Sequence, residues 1–333
     1  MKKATLIILA GLLFFSSCEK ILDKEPLDLI TDNQVWNDPA LIDSYLTMQY
    51  NLTSVMVQES RAYIEAFGSG SPIDDSWDLH GTEHSYGPLA INNFADEGKG
   101  GWDISSGAVG WKAGRVTVNT DVLIRWWENA YYVIRNLNTL IERIPESPVD
   151  EAFVKQRIAE ARWLRAFNYF NIVKRYGGCP LITEVQDITD PEDELYPFRA
   201  KEQDIYDFIL SECDDIAEDL GEAVNYGRPT KWATLHLKSR AALYAGSIAK
   251  YGAVQLDGVF GIPAGDAEAY YRTALEASQQ VINESGHILF NKYPDPSENY
   301  ARLFLDETED ETIFSKLWIP FEKGHSYDLH NVP

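Results

Sequence analysis

Cationic residues are scarce: 29 Lys and Arg stand against 52 Asp and Glu, so the 333-residue chain carries a formal charge of 29 − 52 = −23. A coat this acidic repels phosphate backbones, which argues against a nucleic-acid partner. Cysteine is scarcer still, with only Cys18, Cys179 and Cys213, and no Cys/His spacing of a zinc site accompanies them. Beyond the first residues no window approaches the ~20 apolar positions that a membrane-spanning helix needs. The chain also lacks the G-x-x-x-x-G-K-[ST] phosphate loop and the G-x-S-x-G nucleophile elbow, so nucleotide chemistry is not indicated. What it does have is 45% hydrophobic and 12% aromatic residues, enough to bury a large core and to exclude disorder along most of its length.

Residues 1–17 begin with Lys2 and Lys3, continue through an apolar run from Ala4 to Phe15 and end in Ser16 and Ser17. This is the pattern of a secretory signal, too short to serve as a comfortable membrane anchor. Cys18 follows directly, in the position of a bacterial lipoprotein acceptor whose thiol receives diacylglycerol, although Phe15 departs from the usual Leu-type position. The plainer alternative is an ordinary signal that happens to hold a cysteine. Cleavage would remove two lysines and no acids, leaving a mature charge of 27 − 52 = −25. The domain division is therefore 1–17 as signal and 18–333 as the folded chain.

Residues 21–40 suggest a tether, followed by a helix from Leu41 to Tyr50, and residues 55–75 look partly helical. From Gly68 to Thr117 glycines crowd in, interleaved with Trp77, Trp102 and Trp111, which is loop chemistry and the first place to seek a site. Helical periodicity resumes over 121–144, 151–176, 202–220, 230–251 and 267–285. In the second of these, Ile158, Ala161, Tyr169, Ile172, Val173 and Tyr176 form one stripe while Trp163, Phe167 and Phe170 cover the far side, so this helix should be central and buried. Gly177 and Gly178 should cap it, with Pro180 beyond. Arg162 and Arg165 fall near the buried stripe, where each requires a carboxylate or carbonyl partner. In the last two helices Leu235, Leu237, Ala241, Ala242, Tyr244 and Ala245 should face Tyr271, Ala274, Ala277 and Ile282. Cys179 and Cys213 occupy separate elements and are expected as two small buried side chains rather than a bridge. Such helix pairs resemble tetratricopeptide units, although the 252–266 insert breaks their usual period of about 34 residues. The expected fold class is mainly α, a tetratricopeptide-like helical-pair scaffold with long loops.

Few residues point to chemistry. His80, Glu83 and His84 match an H-x-x-E-H zinc pattern, but Gly81, Thr82, Gly87 and Pro88 oppose the helix that would align the two imidazoles, so no metal site is expected. Asp74, Asp75 and Asp78 beside Trp77 can equally pair with sugar hydroxyls, coordinate calcium or solvate a loop. Sugar binding needs a flat ring face against pyranose C–H groups, flanked by polar side chains. Trp77 and Trp102, in polar glycine-rich loops, best suit that need, followed by Trp111 and Tyr86, with Asp74 and Asp75 as hydroxyl partners; the competing role is to pin a long loop to the scaffold.

Three segments together resemble the SusD/RagB family of outer-membrane nutrient-binding lipoproteins. The first is Leu22-Asp23-Lys24-Glu25-Pro26 with Thr31-Asp32, Trp36-Asn37-Asp38-Pro39 and Tyr50-Asn51. The second runs from Glu160-Ala161-Arg162-Trp163-Leu164-Arg165-Ala166-Phe167-Asn168-Tyr169-Phe170 into Tyr176-Gly177-Gly178-Cys179-Pro180-Leu181-Ile182-Thr183. The third is Gly227-Arg228-Pro229-Thr230-Lys231 leading to Arg240-Ala241-Ala242-Leu243-Tyr244. The resemblance implies a surface-exposed protein, lipid-anchored to the outer membrane through acylated Cys18, that captures oligosaccharide and passes it to a TonB-dependent SusC-type transporter, with no catalysis and no cofactor. The alternatives are a secreted glycoside hydrolase and a structural transporter lid without glycan affinity. Ending at Pro333, the chain is shorter than the family pattern and is expected to be truncated at its C-terminus.

Overall fold

A computed structural model describes residues 32–53, 121–222, 227–306 and 309–315. Among them the regular elements are helices: α1 Asp32–Asn37, α2 Pro39–Leu52, α3 Asp121–Arg143, α4 Glu151–Tyr176, α5 Glu202–Ile216, α6 Lys231–Tyr251, α7 Ala267–Glu284 and α8 Pro296–Leu303. The five long expected helices are all present within a few residues of their anticipated bounds. Three short ones are additional: α1 lies in the stretch expected as a tether, the single turn Glu192–Leu195 lies between α4 and α5, and α8 lies beyond the last expected helix.

Local chemistry sets the ends. Asp38 accepts a hydrogen bond from the Ala40 amide at 2.8 Å with Pro39 in the first turn, and Asp150 accepts from the Phe153 amide at 3.1 Å. Thr230 and Asp295 do the same for α6 and α8. α4 stops because Gly177 takes φ +69°, where a Cβ would also lie 2.6 Å from the Phe260 ring. At Gly178 a Cβ would lie 2.0 Å from the Ala200 carbonyl oxygen, so the chain leaving α4 passes against the entry to α5.

Successive helices pack as neighbours, α3 on α4, α4 on α5, α5 on α6 and α6 on α7, while α2 lies against α3 and α4. This is the helical-pair array expected of the sequence. α4 runs through its middle, burying Trp163, Leu164, Tyr169, Phe170, Ile172 and Val173. α6 and α7 approach closely because Gly246 faces the Tyr271 ring, where a Cβ would sit at 2.9 Å, and because Ser239 bonds both the Ala274 carbonyl and Ser278 Oγ.

One helix face differs from expectation. α7 buries Tyr270, Ala274, Ala277 and Val281, whereas Ile282 is 72% exposed. At ~100° per residue, position 281 lies ~20° from Ala274 and position 282 ~80° away, so the smaller Val281 owns the inward direction. Cys179 and Cys213 are free and buried as expected, and burial pushes the Cys179 thiol up to about 12.

Candidate functional site

Cys18, Asp74, Asp75, Trp77, Tyr86, Trp102 and Trp111, together with His80 and His84, lie outside the described residues, as do the helical segment expected over 55–75 and the signal. Within the described residues the motif arginines have a structural explanation. Glu212, buried on α5, accepts from Arg162 at 2.7 Å and from Arg165 at 2.9 Å. Arg165 also donates to Asn138 Oδ1 at 2.8 Å and to the Thr183 carbonyl at 3.0 Å, which ties α3, α4, α5 and the segment after Pro180 into one knot. Glu160 forms a second knot, receiving Arg157 at 2.6 Å, Arg228 at 2.7 Å and the Tyr50 hydroxyl at 3.1 Å. Arg228 reaches on to Thr47. Thus residues quoted from three separated segments meet around two carboxylates, and each carboxylate is too occupied by guanidinium to serve a ligand. Burial, reinforced by Glu160, raises the Tyr50 phenol well above its ordinary value.

Two other places are accessible. The first is the loop from Glu184 to Arg199. Its base is held rigidly: Val185 donates its amide to Glu142 at 2.6 Å, Arg135 donates to the Gln186 carbonyl at 2.9 Å, and Arg199 donates to the carbonyls of Gly178 and Tyr176. Gln186 donates to the carbonyls of Glu194 and Leu195, closing the loop around the helical turn Glu192–Leu195. Its outer edge presents Tyr196 at 76% and Phe198 at 94% exposure, beside Asp190, Glu192, Asp193 and Glu194. The two rings, two positions apart in the chain, offer exposed apolar faces on a loop that also carries hydroxyl-accepting carboxylates. This loop falls between the helices expected over 151–176 and 202–220, where periodicity predicts no element. The legible signal was Tyr196-Pro197-Phe198, two aromatics with no helical period to place them in a core.

The second place is a cavity of about 380 Å³ between α4, α6 and the segment 311–314, within the size range of ligand pockets. Trp163, Phe167, Phe170, Leu237 and Phe314 supply apolar lining, with His236, Arg240 and Glu311 as polar groups. Trp163 stacks on Phe167 at 5.2 Å and meets Phe314 at 4.9 Å. Lys174 and Arg240 both lie over the Phe170 ring, at 4.9 Å and 5.6 Å from its centre. Burial, with Arg175 and Arg240 nearby, pushes the Lys174 ammonium down to about 7.

A family model described as "Starch-binding associating with outer membrane", of SusD-like type, matches residues 22–243. The SusD-like protein P38 of Formosa agariphila is 26% identical over 240 residues, covering 72% of this chain and 42% of that protein. Among solved structures, a SusD-like protein of Bacteroides fragilis superposes with TM-score 0.55 at 23% identity, over 89% of this chain and 48% of the other. A laminarin-binding SusD-like protein superposes with TM-score 0.54 at 19% identity, over 77% of this chain and 47% of the other. At these identities the structural likeness is one of fold. The chain spans about half the length of these relatives.

Proposed function

This chain belongs to the SusD-like family, and on that premise we propose that it binds oligosaccharide at the cell surface without chemical turnover and delivers it to a SusC-type TonB-dependent transporter. It does so as a lipoprotein, cleaved after residue 17, acylated on Cys18 and so held at the outer membrane. The observation that carries the reading is the family match across residues 22–243, joined to a helical scaffold that displays exposed rings on a braced loop. A relative of the same fold is named for laminarin binding, which favours a glycan as ligand.

Two aromatic groups serve the ligand in this reading. Trp77 and Trp102, with Trp111, Tyr86, Asp74 and Asp75, are the residues proposed from sequence; Tyr196 and Phe198 are added from their exposure. A ring stacked on a pyranose contributes through apolar contact and is tolerant of which sugar it meets.

The test is affinity gel electrophoresis of the purified chain against a panel of neutral glycans, laminarin included, with reducing-sugar release followed in parallel. Retardation by at least one glycan with no release of reducing ends is expected. Release with a carboxylate-dependent pH profile would instead make the protein a glycoside hydrolase, and co-purification with a transporter without retardation by any glycan would make it a structural lid.

A further inference from the structure

The connection between α6 and α7 runs over 252–266, longer than the roughly 2–8 residues that usually join packed helices. Gln255 and Phe260 pair across it through two backbone hydrogen bonds, at 2.8 Å and 3.2 Å, and Leu256 and Asp257 at its tip both take positive φ, 47° and 52°. Consecutive left-handed residues other than glycine are disfavoured, so such a turn persists only where its surroundings fix it. Three contacts do so here. The Val259 carbonyl accepts the Gly178 amide at 2.7 Å, the Gly261 amide donates to the buried Glu202 carboxylate at 2.5 Å, and the Phe260 ring fills the space left at Gly177. The hairpin is therefore seated on the end of α4 and the start of α5.

The loop from Glu184 to Arg199 returns to the scaffold at the same junction. Arg199 is itself exposed and has no carboxylate within ion-pair distance among the described residues. It donates to the Gly178 and Tyr176 carbonyls, and its guanidinium lies over two rings, Trp127 of α3 at 5.6 Å and Phe260 of the hairpin at 5.2 Å. The carbonyl end of α4 and two ring faces thus take the place of a counter-ion. One residue on, the Ala200 amide donates to the Cys179 carbonyl at 3.0 Å, so the chain is fixed on both sides of the peptide that follows Arg199. Tyr196 and Phe198 come directly before this joint, exposed, while the other foot of the loop is held by Glu142 and Arg135. Rings that stand in water gain affinity from being held in place beforehand, because each side chain ordered only on binding weakens the complex.

We propose that the 252–261 hairpin is a brace for this ligand loop, and that Phe260 is a positioning residue which, through Arg199, fixes where Tyr196 and Phe198 stand. Phe260 touches no sugar in this scheme. Its ring bears on the Arg199 guanidinium from the hairpin side, Trp127 bears on it from α3, and the α4 carbonyls hold its N–H groups, so the end of the loop has one setting. The inference rests on the glycan-binding reading above and names a positioning residue for the same surface.

Hydrogen–deuterium exchange of the full chain, followed on peptides covering 184–200, tests the brace without ligand, and affinity gels with laminarin and the other neutral glycans of the panel test its role in binding. Phe260→Leu keeps apolar bulk but removes the ring from the guanidinium. It should speed exchange across the loop and weaken glycan affinity by about five- to tenfold, the effect of having to order one or two freed side chains on binding. Phe260→Tyr, which restores the ring, should keep the parent's exchange and affinity. In the Tyr196→Ala, Phe198→Ala background Phe260→Leu should weaken binding no further, since no platform is left to aim. Arg199→Gln, at an exposed position, should reproduce the effects of Phe260→Leu and decides the matter should that variant fold poorly. Unchanged loop exchange in Phe260→Leu and Arg199→Gln, faster exchange with unchanged affinity, a Phe260→Tyr variant as weak as Phe260→Leu, or a loss that persists in the background lacking both rings would each overturn the brace while leaving glycan binding standing. If instead the Tyr196, Phe198 double variant binds like the parent, or no glycan of the panel retards the parent, the ring platform itself falls and the role of Phe260 in binding falls with it.

Discussion

Arg162 and Arg165 illustrate how far a single residue can be read. Their position near the apolar stripe of α4 demands partners, because an unpaired buried guanidinium is costly, and both have them. That the partner would be Glu212, some fifty positions along the chain, was not legible, since 52 acids offer no local sign of which one folds back. The same limit hid Glu160 as the anchor for Arg228 and Tyr50. The knot around Glu212 gives a direct prediction. Glu212→Gln leaves the buried Arg165 facing a neutral amide, while the part-exposed Arg162 keeps Asp215 at 2.8 Å, and should lower unfolding free energy by about 3–5 kcal/mol, as breaking a buried pair by removing one partner does. Urea denaturation followed by circular dichroism measures it; a loss below about 0.5 kcal/mol would mean that water, not Glu212, satisfies the guanidinium groups.

Helices were the most legible part of the molecule because their signals repeat. Period and the glycine pair after Tyr176 placed α3 through α7 within a few residues. α8 carries a legible start, Asp295-Pro296, but its eight residues are too few for periodicity to register. α1 is shorter still, and its buried Trp36 finds its place by packing edge-on against Tyr45 of α2 at 5.1 Å, a contact no local pattern encodes. The face of α7 was misjudged by one residue for a definable reason: two β-branched residues adjoin, and hydrophobicity favours Ile282 whereas angular position favours Val281. The helix wheel should therefore govern stability. Val281→Ala is expected to cost about 1–3 kcal/mol by emptying a packed site, and Ile282→Ala to stay within about 0.5 kcal/mol of the parent. Melting curves of the two single variants separate the cases, and the reverse ranking would mean that α7 turns its Ile282 face inward.

At the scale of the whole molecule, the scaffold and the sites follow different rules. The fold is specified redundantly, by apolar stripes, caps and two carboxylate knots that join distant segments, so fragments of sequence sufficed to recognise it. Ligand contacts carry no such redundancy, because an exposed ring is stabilised by nothing that a pattern search can see. Tyr196 and Phe198 fit this description: they are among the most exposed large apolar side chains described, on a loop whose base is fixed by Glu142, Arg135 and Arg199. Keeping such rings in water forgoes burial worth roughly 1.5–3 kcal/mol each, a cost that a packing role would not explain. If they are a stacking platform, the double variant Tyr196→Ala, Phe198→Ala should melt within about 2 °C of the parent, since little buried contact is lost. Its affinity for the glycan that retards the parent should fall by about 1–3 kcal/mol, the range for truncating an aromatic anchor. Trp77→Ala and Trp102→Ala, measured on the same gels, apportion the binding between the two aromatic groups. An unchanged affinity in the Tyr196, Phe198 double variant, alongside a loss in either tryptophan variant, would remove the 184–199 loop from the ligand surface and leave that surface to the residues nominated from sequence.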